Sequence, residues 1–97
     1  MKKYEIMYIV NASLDDASRT SVMDGLHKIL TDRDGSIDKI DDMGVKEFAY
    51  EINDMNKGYY VVINVTANNE GIAEFERLAR INQNVVRYMI IKTEAEK

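Results

Sequence analysis

Tyr59-Tyr60-Val61-Val62-Ile63-Asn64-Val65 is the most strand-like stretch of the chain, since every position except Asn64 carries an aromatic or β-branched side chain suited to a pleated, half-buried surface. Alternation puts Val61, Ile63 and Val65 on one face and Tyr60, Val62 and Asn64 on the other. Just before it, Asn53-Asp54-Met55-Asn56-Lys57-Gly58 is a polar turn cluster. Farther upstream, Ile37 to Ile52 shows short alternating apolar patches whose parity changes between Ile37 and Ile40, with Gly44 interrupting the run. That pattern predicts a bent or bulged strand, joined to the first through a hairpin with a mobile tip.

Working outward, Val22, Leu26, Ile29 and Leu30 recur at helical spacing. Ser13 is placed to cap that helix, Gly25 is a weak point inside it, and Gly35 offers the left-handed residue that ends it. Tyr4 to Val10 is another strand, stopping at Asn11-Ala12-Ser13, with Tyr4, Ile6, Tyr8 and Val10 on one face and Glu5, Met7 and Ile9 on the other. After Asn68-Asn69, the spacing of Ile72, Phe75, Leu78 and Ala79 predicts a second amphipathic helix. Val85 to Ile91 closes the chain as a strand that buries Tyr88 and Ile90 and leaves Arg87, Met89 and Ile91 outside. The order is β-α-β-β-α-β. With right-handed crossovers it gives an α+β, ferredoxin-like sandwich: a four-stranded antiparallel sheet with two helices on one face and the other face open.

A chain of 97 residues, 45% of them hydrophobic, suits one domain over residues 1–97, ending in a short polar tail at 93–97 that should add little. No apolar run approaches the roughly 20 residues a bilayer span needs, and no membrane role is expected. Met1-Lys2-Lys3-Tyr4-Glu5 meets a glutamate before a signal core develops, so the mature protein is expected to begin where the sequence begins. The 13 basic and 17 acidic residues leave a net charge of −4, which opposes autonomous nucleic-acid binding. Such a role would need local basic clusters or a basic partner.

Several chemistries are excluded by residue type. With no cysteine there is no disulfide, thiolate metal site, cysteine nucleophile or Cys-x-x-Cys metallochaperone loop, and a cytosolic home fits. Asp32, Asp34, Gly35 and Asp41 can be laid on a calcium loop only with Leu30 as first ligand and no bidentate glutamate. Asn11-Ala12-Ser13-Leu14 lacks the arginine and glycine-rich cradle of an acylphosphatase-like site. His27 lies one helical turn from Asp24 but has no nucleophile in a recognisable motif, so it reads as a helix-surface histidine. Lys57 to Asn64 overlaps an RNA-recognition signature but has Val61 and Asn64 where stacking aromatics belong. Neither an enzyme nor a metal or cofactor is expected. A small-molecule-sensing regulatory module remains the alternative on this topology.

The open sheet face would carry several large apolar groups, which a monomer rarely leaves to water. Strand parity therefore assigns Glu5, Met7, Tyr60, Val62, Met89 and Ile91 to a protein-partner interface, with Met7 and Met89 suited to adaptable packing. Lys2, Lys3, Arg77, Arg80, Arg87 and Lys92 gather at the chain start and along the last helix and strand, enough to position phosphates locally.

From Lys3 to Lys92 the chain resembles the bacterial small-subunit ribosomal protein number six family. The resemblance is carried by Tyr4-Glu5 before an apolar strand ending at Asn11, and by Gly44-Val45-Lys46 leading to Phe48-Ala49-Tyr50-Glu51-Ile52 and Gly58-Tyr59-Tyr60. It continues in Leu78-Ala79-Arg80-Ile81-Asn82 through Val85, Arg87, Met89 and Lys92. It implies a structural, non-enzymatic component of the cytoplasmic ribosome that binds small-subunit ribosomal RNA in the platform region, together with the basic ribosomal protein number eighteen. Carried onto matching positions, Lys3, Tyr4, Lys46, Arg80, Arg87 and Lys92 are the implied RNA contacts, and Lys2 joins them by proximity. The chain departs from the family pattern at Ala12, where proline is frequent, and at Glu47 and Asp54, where basic residues are common.

Overall fold

The computed structural model describes residues 2–52 and 55–93. Along the chain run β1 (Lys2–Asn11), α1 (Asp16–Thr31), β2 (Ser36–Ile52), β3 (Met55–Ala67), α2 (Asn69–Ile81) and β4 (Val85–Lys92). The strands form one antiparallel sheet in the order β2-β3-β1-β4, and this is the ferredoxin-like sandwich the element order predicts. The turn residues Asn53 and Asp54, and the tail from Glu94 to Lys97, lie outside the described residues.

Alternation along β3 and β1 builds the core. Val61, Ile63, Val65 and Ala67 meet Tyr4, Ile6, Tyr8 and Val10 on the helix side, where Leu26 and Leu30 of α1 and Phe75 and Ala79 of α2 close over them. Each large side chain fully removed from water there contributes on the order of 1.5–3 kcal/mol. Tyr88 and Ile90 are partly buried against the same cluster.

The bend expected in β2 falls at register irregularities between Ile37 and Lys39 and between Asp42 and Gly44, and a third lies farther along, between Glu47 and Ile52. The first lets Ile37 and Ile40, three positions apart, pair with Val65 and Ile63 and so face the same side. At the second, Gly44 adopts φ 80, where a side chain would be strained.

Four local expectations are corrected. The N-cap of α1 is Asp15, whose carboxylate accepts from the Ser18 amide at 2.8 Å, while the Ser13 amide is engaged by Asn11 Oδ1. Asp34, at φ 66, is the left-handed residue after α1; Gly35 is needed for space, because a Cβ there would stand 2.7 Å from the Leu30 carbonyl oxygen. Met55 to Gly58 are strand and not turn, so the hairpin is longer than its polar composition suggests. Finally, Ile9 has open-face parity but is only 3% exposed, because Phe48 and Tyr60 surround it.

Candidate partner and nucleic-acid surface

Cross-strand register sets the open face out in rows. Glu5 pairs with Asn64 on one side and Ile91 on the other; Met7 pairs with Val62 and Met89; Ile9 pairs with Tyr60 and Arg87. β2 extends these rows with Lys39 opposite Asn64, Asp41 opposite Val62 and Gly44 opposite Tyr60. The six side chains assigned to a protein partner therefore share one face in three adjacent rows. Met89 and Ile91 are 47% and 46% exposed, and Glu5, Met7, Tyr60 and Val62 are half-buried by their neighbours. The centre is apolar, with Glu5 and Asp41 as its acidic members.

The basic candidates divide between the ends of this face. Lys3 pairs with Thr66 and Lys2 with Ala67, while Lys92 pairs with Tyr4 and the Thr93 amide donates to the Lys3 carbonyl at 2.9 Å. These three lysines thus cluster around the start of β1. At the other end, Arg87 lies opposite Ile9, and Lys46 lies opposite Gly58 at the root of the hairpin. The six strand steps from Lys3 to Ile9 separate the two ends by about 20 Å. Arg80 stands apart on α2, 3.4 Å from Glu76, and Tyr88 and Glu76 beside it favour its charged form.

Tyr4 is not exposed with the basic candidates. Its ring belongs to the core at 9% exposure, and its hydroxyl donates to Asn69 Oδ1 at 3.4 Å, so it offers no free aromatic face. Lys92 and Lys2 have helix-side parity but remain exposed at the sheet edge and chain start.

Other chemistry is sparse among the described residues. No group of three or more His, Asp or Glu side chains could hold a metal ion, and no helix is long and apolar enough to cross a membrane. His27 is turned to Tyr8, not to a substrate space. An open groove of about 480 Å³ between α1 and α2 is lined by Val22, Leu26, Ile29, Leu78 and Ile81, with Ser21 and Asn82 as its polar members and no charged side chain.

Sequence reasoning missed two contacts that fix the hairpin. Phe48 reaches back to Tyr60, with ring centroids 6.2 Å apart, and the Tyr59 hydroxyl donates to Asp42 Oδ1 at 2.5 Å beneath the Arg19 guanidinium. The one sequence signal for the first was Gly58 inside a strand-like run, a mark of close approach.

Comparison with known proteins agrees with this architecture. The family model described as Ribosomal protein S6 matches residues 3–92. The small ribosomal subunit protein bS6 of Shouchella clausii is 46% identical over 94 residues, covering 97% of this chain and 99% of the relative. The bS6 protein of Halalkalibacterium halodurans is 45% identical over the same length and coverage. The crystal structure of 30S ribosomal protein S6 from Thermotoga maritima superposes with a TM-score of 0.89 at 30% identity, covering 95% of this chain and 87% of that one. A match over nearly the whole length in sequence and in fold means that the chain belongs to the ribosomal protein S6 family, the proteins of the small ribosomal subunit.

Proposed function

We propose that this protein binds small-subunit ribosomal RNA in the platform region, in the cytoplasmic ribosome, paired with ribosomal protein number eighteen. The basic partner docks on the open sheet face. The observation that carries this reading is the pattern on that face: Met7, Val62, Met89 and Ile91 form an apolar centre, Glu5 and Asp41 share its rows, and cations stand at its two ends. Apolar surface bordered by carboxylates suits a basic protein, whereas the cations suit phosphates that pass the rim.

With a net charge of −4 the chain has too few free cations to neutralise many phosphates alone, so a basic partner supplies much of that term. Lys2, Lys3 and Lys92 hold RNA at one end, and Arg87 and Lys46 at the other, with Arg80 on the helix side. Their contacts are to phosphate and sugar, with limited reading of bases.

The test is RNA binding at fixed salt, using a platform fragment with this protein alone, the partner alone, and both together. Tight binding only with both supports the reading. Binding unaffected by the partner overturns it.

A further inference from the structure

We propose that Ile9, Phe48 and Gly58 form a lock at the root of the β2–β3 hairpin, holding its projecting arm in one direction as a wall of the open face. The lock positions the arm for the basic partner and Lys46 for RNA, and this role rests on the function proposed above.

β1 ends at Asn11, whose register partner is Gly58. Past that row β2 and β3 pair only with each other, at Glu47 with Lys57 and Ile52 with Met55, so the arm extends beyond the sheet body. An isolated two-stranded hairpin is marginal in water, so the direction of this arm depends on what grips its root.

The grip on the open side has an unmistakable sign in burial. No helix covers that side, yet Ile9 is only 3% exposed and Gly58 is buried. Phe48 folds back from β2 over the missing side chain of Gly58. A Cβ at Gly58 would overlap Ile9 Cγ2 and stand 2.7 Å from Phe48 Cζ. Glycine is required here for close approach and not for its backbone freedom, since Gly44 is the glycine with positive φ. Tyr60 completes the contact, its ring tilted 59° to that of Phe48.

The helix side of the same root is held independently. Tyr59, adjacent to Gly58, donates to Asp42, and Arg19 of α1 lies 4.0 Å above its ring while also pairing with Asp16 at 2.8 Å. Loss of Phe48 therefore frees the arm toward the open face only, where the partner docks.

The experiment measures partner affinity and amide hydrogen exchange for Phe48→Ala and Gly58→Ala, with Phe48→Leu as the conservative replacement. Phe48→Ala is expected to weaken partner binding about tenfold, the loss that follows when a pre-organised wall must be ordered on binding. Exchange should speed at Lys46 to Phe48 and Asn56 to Gly58 while Ile6, Tyr8, Ile63 and Val65 keep their protection, and Phe48→Leu should recover most of both effects. If the wild-type protein binds the partner and Phe48→Ala binds equally well, the lock does not position the surface and the inference fails. A uniform rise in exchange across the sheet also overturns it, because Phe48 would then be a general stability residue. Should the wild-type protein not bind the partner at all, the parent function falls, and arm-selective exchange alone decides whether the lock exists.

Discussion

The Tyr8 hydroxyl lies 2.8 Å from His27 Nε2, joining the centre of β1 to the inward side of α1. Tyr8 is fully buried, so its hydroxyl is best satisfied by donating to an unprotonated Nε2, which assigns the imidazole proton to Nδ1. Burial pushes the Tyr8 phenol up and holds His27 below its ordinary 6.5, against the opposing attraction of Asp24 on the same helix.

A histidine held neutral in the folded state makes stability fall as pH drops. The unfolded chain takes up a proton near 6.5 and the folded chain resists it, so the loss begins there and continues until folded His27 also titrates. Asp15, Asp38 and Glu74, whose carboxyls are held low by hydrogen bonds from Ser18, Thr66 and Arg77, lose their contribution only in the more acidic carboxylate range. Thermal melts between roughly pH 7 and pH 5 should therefore show a decline that His27→Gln, which keeps an acceptor but cannot titrate, flattens. An undiminished decline in that variant would assign the loss to other groups.

Gly35→Ala should destabilise the fold by about 1–3 kcal/mol, as forced overpacking does. The added methyl meets backbone oxygens of Leu30 at 2.7 Å and Thr66 at 3.0 Å, which cannot rotate away as a side chain would. Urea unfolding measures it, and an unchanged midpoint would show that the α1–β2 junction yields freely.

Asn68→Ala removes the side-chain oxygen that accepts from the Gly71 amide at 2.7 Å and the amide that donates to the Arg33 carbonyl at 3.2 Å. The expected cost is about 1 kcal/mol for the cap alone. Because the second bond ties α2 to the end of α1, Asn68→Asp should recover only part of the loss.

Arg87→Ala should weaken assembly onto RNA by about 1 kcal/mol and lower the salt slope by about one counterion if a single phosphate contact is lost. Arg80→Ala should cost no more, since Arg80 already spends part of its charge on Glu76. Assembly unchanged in both variants would remove them from the RNA surface.

Met89→Glu should abolish most partner binding with little change in melting temperature. Its side chain is 47% exposed in the row of Met7 and Val62, so a charge there disturbs the docked face more than the free fold. A variant that binds the partner normally would move the interface off this face.

The sequence by itself determined the order of elements, the two helical stripes and the faces of β1, β3 and β4, because periods of two and 3.6 are local consequences of backbone geometry. It also marked β2 as irregular, since a bulge shifts the parity of the side chains that follow. Tertiary structure alone decided which cap was used at α1, where Asp15 displaced Ser13, and which candidates remain accessible, since Tyr4 is drawn into the core. It alone decided that Ile9 is covered. That outcome depends on Phe48 and Gly58, which are distant from Ile9 in the chain and meet it only when three strands are in register. Local pattern fixes where a side chain points, whereas burial depends on what the rest of the chain places opposite it.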